Sequence, residues 1–191
     1  MIDIFNTITD NAIHYVQMYG VLFGFFIIVL ESILPFLPLC VFIALNITSF
    51  GILIGFFISY VATIFGCLLS YFFFKYLVGN RLDKWKNNNK KLKQVIVGIK
   101  KIDFSKLVVL VSLPFAPAFL INIACGITNV SFKKFFVSLL IGKVVIVYFW
   151  GFVGKSLIDS ITDVNAVIIV CLLLLVAFIV SKIVVKKYDI E

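Results

Sequence analysis

The chain has 191 residues, 63% of them hydrophobic, with a mean hydropathy of +1.18; this excludes a soluble globular domain and implies an integral membrane protein. Its 17 Lys and Arg against nine Asp and Glu give a net charge of +8, but the basic residues are concentrated outside the apolar runs. They therefore mark cytoplasmic loops and exclude a nucleic-acid surface; the length suits one domain of several spans without a separate soluble catalytic unit.

Residues 1–18 are mildly amphipathic, carry Asp3 and Asp10, and contain no Lys or Arg. They lack the positive n-region of a cleavable signal peptide, so an interfacial segment kept in the mature protein is expected. His14, the only histidine, has no second ligand or base near it in sequence. From Tyr19 to Leu45 the chain is apolar, with Glu31 as its only acid, and it contains Glu31-Ser32-Ile33-Leu34-Pro35-Phe36-Leu37-Pro38. Two prolines three residues apart remove backbone donors and clash with the preceding turn, which breaks a helix here. A broken apolar segment carrying a carboxylate reads as a re-entrant hairpin holding a functional site. A proline-kinked helix with Glu31 near the interface is the alternative.

Gly51 to Phe74 carries no charge. At ~1.5 Å per residue it spans roughly 36 Å, enough to cross ~30 Å of hydrocarbon with some tilt. Gly55, Ser59, Ala62 and Gly66 recur every three or four residues, giving one small face for close helix packing. Asn80 to Lys106 is the polar stretch: Arg81, Lys84, Lys86, Lys90, Lys91, Lys93, Lys100, Lys101 and Lys106 against Asp83 and Asp103. Its charge places it in the cytoplasm; an orientation signal alone is one reading of it, and attraction of anionic head groups is the other.

Leu107 to Thr128 repeats the earlier pattern. Leu113-Pro114-Phe115-Ala116-Pro117 matches Leu34-Pro35-Phe36-Leu37-Pro38, with Ser112 and Ser32 just before each; Asn122 and Gly126 follow the second copy. Downstream, Gly66 and Gly142 each precede an aromatic stretch, ending at Gly79 and Gly154. Interrupted apolar segments at corresponding places in two halves point to a transporter-like site between repeats. A full span at Leu107–Thr128 would put Lys133 and Lys134 outside, whereas a hairpin open to the cytoplasm keeps them inside. Phe135–Val153 then crosses outward, with Lys143 near its centre, and Val164–Ser181 returns, leaving Lys182, Lys186 and Lys187 inside. The fold expected is all-α: an inverted repeat of two re-entrant, proline-broken hairpins plus about three full transmembrane helices.

Cys40, Cys67, Cys125 and Cys171 lie in apolar segments at wide spacing, with no metal-ligand pattern. The apolar segments hold no Ser-His-Asp set, no HExxH helix and no phosphate-binding glycine loop. No enzymatic activity, metal or cofactor is expected. Glu31 and Lys143 are the opposite charges inside apolar segments, and an inverted repeat sets the first hairpin against the helix of Lys143. Their pairing is one expectation for this lysine; snorkelling of its stem to the interface is the other.

Glu31 before Pro35, Gly66 with the Tyr-rich stretch to Gly79, Pro114-x-x-Pro117, and Asn122-x-Ala124-x-Gly126-Ile127-Thr128 with Phe132 and Phe135 resemble the DedA-like membrane family, also called VTT-domain or SNARE-associated Golgi proteins. The resemblance covers roughly residues 20–155 and implies two inverted repeats, each with a re-entrant hairpin. It divides the chain into the interfacial segment 1–18, a VTT membrane domain 19–154 with its basic loop 80–106, and a C-terminal helix and basic tail 155–191. Members of the family resemble transporters or scramblases of polyprenyl-phosphate or phospholipid. Many carry an arginine three residues before the second hairpin's proline, and some another three residues after it; here those positions are Val111 and Pro117, so the family's cation is missing there. The substrate pathway expected comprises Glu31, Ser32, Pro35, Pro38, Ser112, Pro114, Pro117, Asn122, Gly126 and Lys143, with Gly55, Ser59, Ala62, Gly66 and Gly142 in helix packing. Membrane lipids with phosphate-bearing head groups are the expected partners, and a homo-oligomer stays open. The location expected is the cell membrane, multi-pass, with the loop 80–106 and the C-terminus cytoplasmic. A membrane scaffold or assembly factor, and an ion- or proton-coupled carrier of small solutes, are the alternative functions.

Overall fold

The structure, a computed structural model, describes residues 19–33, 39–78, 102–116, 118–128, 130–159 and 164–187. Among them the secondary structure is entirely helical: α1 (Tyr19–Ile33), α2 (Leu39–Phe50), α3 (Ile52–Phe73, continued by a π turn over Phe74–Val78), α4 (Phe104–Ser112), α5 (Ala118–Ile127), α6 (Phe132–Asp159) and α7 (Val164–Lys187). Pro35, Pro38, Pro117, His14 and residues 80–101 of the basic loop lie outside the described residues.

Local chemistry sets the breaks. Leu113 ends α4 in an extended conformation, φ −79° and ψ 125°, because the ring of Pro114 excludes helical geometry from the residue before it. The Ala116 amide then closes a turn on the Leu113 carbonyl at 3.3 Å. Gly51 alone links α2 to α3 at φ +81°, a left-handed conformation that a side chain would strain. At ~1.5 Å per residue, α4 and α5 measure roughly 14 and 15 Å, half of a ~30 Å hydrocarbon layer. Two helices are long and apolar enough to cross a membrane among the described residues, Ile52–Tyr76 and Phe132–Ser156. The third expected span, Val164–Ser181, falls within α7.

These elements pack in a crossed pattern. α2 lies on α3 and α6, while α4 lies on α6 and α5 on α3. One core cluster joins Ile28 and Val29 of α1 to Ile43, Ile47, Ala62 and Val147. A second joins Tyr71, Leu107, Leu110, Ile121, Phe135 and Leu139, with Tyr71 and Phe135 stacked at 4.8 Å. Both ends of the α4–α5 unit lie at the start of α6. There Lys134 Nζ donates to the Ile102 carbonyl, and the Tyr71 hydroxyl donates to the Val130 carbonyl at 2.7 Å. The turn at the other end of the unit reaches Gly142 and Trp150, well along α6.

Gly55, Ser59, Ala62, Gly66 and Gly142 are all buried. A Cβ on Gly66 would stand 2.5 Å from Ser32 Cβ, and one on Gly142 2.5 Å from Val111 Cγ2 and 2.9 Å from Ser112 Oγ. In both places a serine at or next to the C-terminal end of a short helix, Ser32 of α1 and Ser112 of α4, rests on a glycine of a long helix. The outward face of α3 is the reverse of a soluble helix: Ile54, Phe57, Val61, Phe65, Leu69, Phe73 and Tyr76 are exposed at helical spacing. An apolar stripe this long on the outside fits a hydrocarbon solvent.

Candidate functional site

A cavity of about 580 Å³ lies where the turn between α4 and α5 and the end of α1 meet the middles of α3 and α6. Its polar lining is Glu31 and Ser32 from α1, Cys40 from α2, Thr63 and Cys67 from α3, Asn122 from α5 and Lys143 from α6. Its apolar wall includes Leu113, Phe115, Phe119, Ile146 and Trp150. Phe115 meets Trp150 edge-on at 5.5 Å and Phe178 of α7 at 5.6 Å, so α7 backs this wall.

The donors and acceptors in the cavity are unequal. Ser32 and Thr63 give their protons to carbonyls one turn back, Ile28 at 3.0 Å and Ser59 at 2.6 Å; they offer lone pairs to the cavity. Asn122 is 2% exposed, and its Nδ2 has no hydrogen-bond partner, a buried donor that calls for an acceptor. Lys143, also 2% exposed, brings an ammonium group into the same space. Its stem does not snorkel to an outer surface; the side chain stays inside and lines the cavity. Glu31 and Lys143 attract one another electrostatically, yet among the described residues no ion pair within 4.0 Å joins them. The cavity thus holds Glu31 and Lys143 without an ion pair between them, and its wall includes Asn122 with an unpartnered amide nitrogen.

Of the residues singled out from sequence, Glu31, Ser32, Pro114, Asn122 and Lys143 come together here. Ser112 does not line the cavity: its hydroxyl donates to the Val108 carbonyl at 2.6 Å, and it rests on Gly142. Gly126 is a packing residue, since a Cβ there would meet the Tyr71 carbonyl at 2.6 Å and the Lys75 amide at 3.2 Å. Gly126 brings α5 against the end of α3 where that helix widens into its π turn. The sequence reading missed Cys40, Thr63, Cys67, Phe115 and Trp150 as wall. Thr63 and Cys67 were within reach of it, one turn apart beside Gly66 on the face already read as small. It also missed Asn46, which is 1% exposed and ties three helices by donating to Ser59 Oγ at 3.1 Å and the Gly24 carbonyl at 3.3 Å.

Helices with apolar outer faces around a cavity lined by Glu31 and Lys143 define a helical membrane protein. The chain belongs to the VTT-domain, or DedA, family, whose model matches residues 37–156. It is similar to the uncharacterized membrane protein YhjE of Bacillus subtilis, 26% identical over 166 residues, which cover 87% of this chain and 80% of YhjE. It is also similar to the uncharacterized protein YqeD of the same organism, 26% identical over 134 residues, 70% of this chain and 64% of YqeD. No solved structure matches it.

Proposed function

We propose that the protein translocates lipids, passing a phosphate-bearing head group through the cavity while the hydrocarbon stays in the membrane. The observation that carries this reading is that Lys143 and Asn122, whose amide nitrogen has no partner, line one cavity. Together they suit a phosphate, which takes charge from the ammonium and a hydrogen bond from the amide. A charge inside the hydrocarbon region costs at least ~2.5 kcal/mol on insertion scales, so its retention there favours a functional role. No covalent step is part of this reading.

The architecture we propose is an inverted repeat, with α1–α2 and α4–α5 as re-entrant hairpins that enter from opposite sides. Three features favour it. Ser32 on Gly66 corresponds to Ser112 on Gly142; α2 on α6 corresponds to α5 on α3; and both ends of α4–α5 meet the start of α6. With the basic loop cytoplasmic under the positive-inside rule, α4–α5 opens to the cytoplasm and the protein is multi-pass in the cell membrane. In a cysteine-free background, Ser105→Cys and Ser131→Cys, both at exposed positions, should react with an impermeant maleimide from the same, cytoplasmic side. Reaction from opposite sides would replace the hairpin by a span.

For the activity itself, purified protein in phospholipid vesicles should raise the flip rate of a fluorescent phospholipid at least tenfold over empty vesicles. An unchanged rate across several head groups, polyprenyl phosphate included, would leave the scaffold reading in its place.

A further inference from the structure

Next to the polar cavity runs a second space, an apolar groove of about 690 Å³ walled by Ile33, Leu69, Ser70, Phe73, Tyr76 and Phe119, among others. The two spaces are neighbours in a specific way. Phe119 is part of both walls, and Ile33 of the groove follows Ser32 of the cavity. On α3, Thr63 and Cys67 line the cavity and Ser70 lines the groove. These three recur at four and then three residues, so they form one stripe, roughly 10 Å long at ~1.5 Å per residue.

Ser70 is the anomaly in that stripe. Thr63, Ser112, Thr128 and Ser138 back-bond to the carbonyl four residues earlier, whereas Ser49, Ser70 and Ser181 have no partner; of those three, Ser70 is the one that lines the groove. Ser70 is 1% exposed, and its Oγ has no partner. A buried hydroxyl in an otherwise apolar groove is a donor without an acceptor, and such groups call for a ligand.

We propose that this groove seats the hydrocarbon chain of an ester-linked glycerolipid whose head group lies in the cavity, with the Ser70 hydroxyl donating to an ester carbonyl; the inference rests on the lipid reading above. The two spaces share the Phe119 wall, and an occupant of both is an amphiphile, charged at one end and apolar at the other. The position of Ser70, on the apolar side of Cys67, is where a glycerolipid carries its carbonyls. A polyprenyl phosphate has no acceptor there. Phe119, shared by both walls, then stands beside the junction of head and chain.

The test uses the full chain in vesicles of phosphatidylethanolamine and phosphatidylglycerol. These carry a trace of a phospholipid with a photoreactive diazirine in one chain, in ester-linked or ether-linked form. After irradiation, adducts from the ester form should be at least threefold denser on Phe73, Tyr76 and Phe119 than on Val144, Val145 and Tyr148, the outward face of α6. The ether form should label the groove at least threefold less, and Ser70→Ala should bring the two forms level. Leu69→Trp, at the exposed edge of the groove (40% exposed), should remove the enrichment and leave the α6 labelling intact. Even labelling over both faces, equal ester and ether labelling of the unaltered protein, or clearance of the groove by excess polyprenyl phosphate would each overturn the proposal. Flip rates in the same vesicles report on the translocation reading separately: active protein with even labelling refutes the groove alone.

Discussion

Gly55→Ala should be the most damaging single-methyl change in the molecule, and it should resist repair. A Cβ at Gly55 would stand 2.5 Å from the Asn46 carbonyl oxygen, 2.5 Å from Ile47 Cα and 2.6 Å from the Asn46 carbonyl carbon. All three are backbone atoms of α2, which the one-residue link at Gly51 holds against α3. Alanine favours a helix over glycine by about 0.5–1 kcal/mol, while overpacking of a tight contact costs about 1–3 kcal/mol and more where nothing can give. The clash therefore wins, by about 2 kcal/mol or more. Gly66→Ala should also destabilise, but its nearest contact is Ser32 Cβ at 2.5 Å, a side chain. Ser32→Gly in the same chain should therefore restore part of the loss for Gly66→Ala, where the Val29 carbonyl at 3.0 Å remains, and none of it for Gly55→Ala. Thermal midpoints of purified protein in detergent, followed by size-exclusion chromatography, check both. Equal tolerance at the two glycines would mean that α2 is free to move away from α3.

The glycine contacts show what the sequence could and could not say. Gly55, Ser59, Ala62 and Gly66 were readable as a packing face because helical periodicity alone aligns them; which helix they meet was not. The proline breaks were readable at Pro114, since its effect on Leu113 is a local steric matter. The packing contacts of Gly126 and Ser112 were not readable, for the opposite reason. A small or polar residue near a break looks the same whether it lines a cavity or lets two helices touch; the crossing of α5 over the π turn decides for Gly126, and the contact of α4 with Gly142 of α6 decides for Ser112. Thr63 and Cys67 escaped notice because each is an ordinary residue in an apolar helix. Their significance comes from α1 and α6, which bring Glu31 and Lys143 to the same place. Lys143 was legible from its cost alone.

A double-mutant cycle at those two charges should give strongly non-additive effects. Glu31→Gln alone leaves the Lys143 ammonium, 2% exposed, without the carboxylate that attracts it. Lys143→Met alone leaves Glu31 in a cavity with no cation to face among its lining residues. Breaking a buried pair by removing one partner costs about 3–5 kcal/mol in tight pairs, because a lone charge is left behind. Here the groups are not in direct contact, so a coupling of about 1–3 kcal/mol is expected, within the range for interacting neighbours. The double variant should thus be more stable than the sum of the single losses allows, and it should fold better than Lys143→Met alone. Translocation should follow a different pattern. Both variants lacking Lys143 should lose it, because a phosphate then meets only the Asn122 amide, whereas Lys143→Arg should retain a substantial part. Stability and flip rate measured on the same four proteins separate the two roles of the lysine. Strictly additive stabilities would mean that Glu31 and Lys143 act independently. Translocation that survives Lys143→Met would mean that the phosphate does not pass this residue.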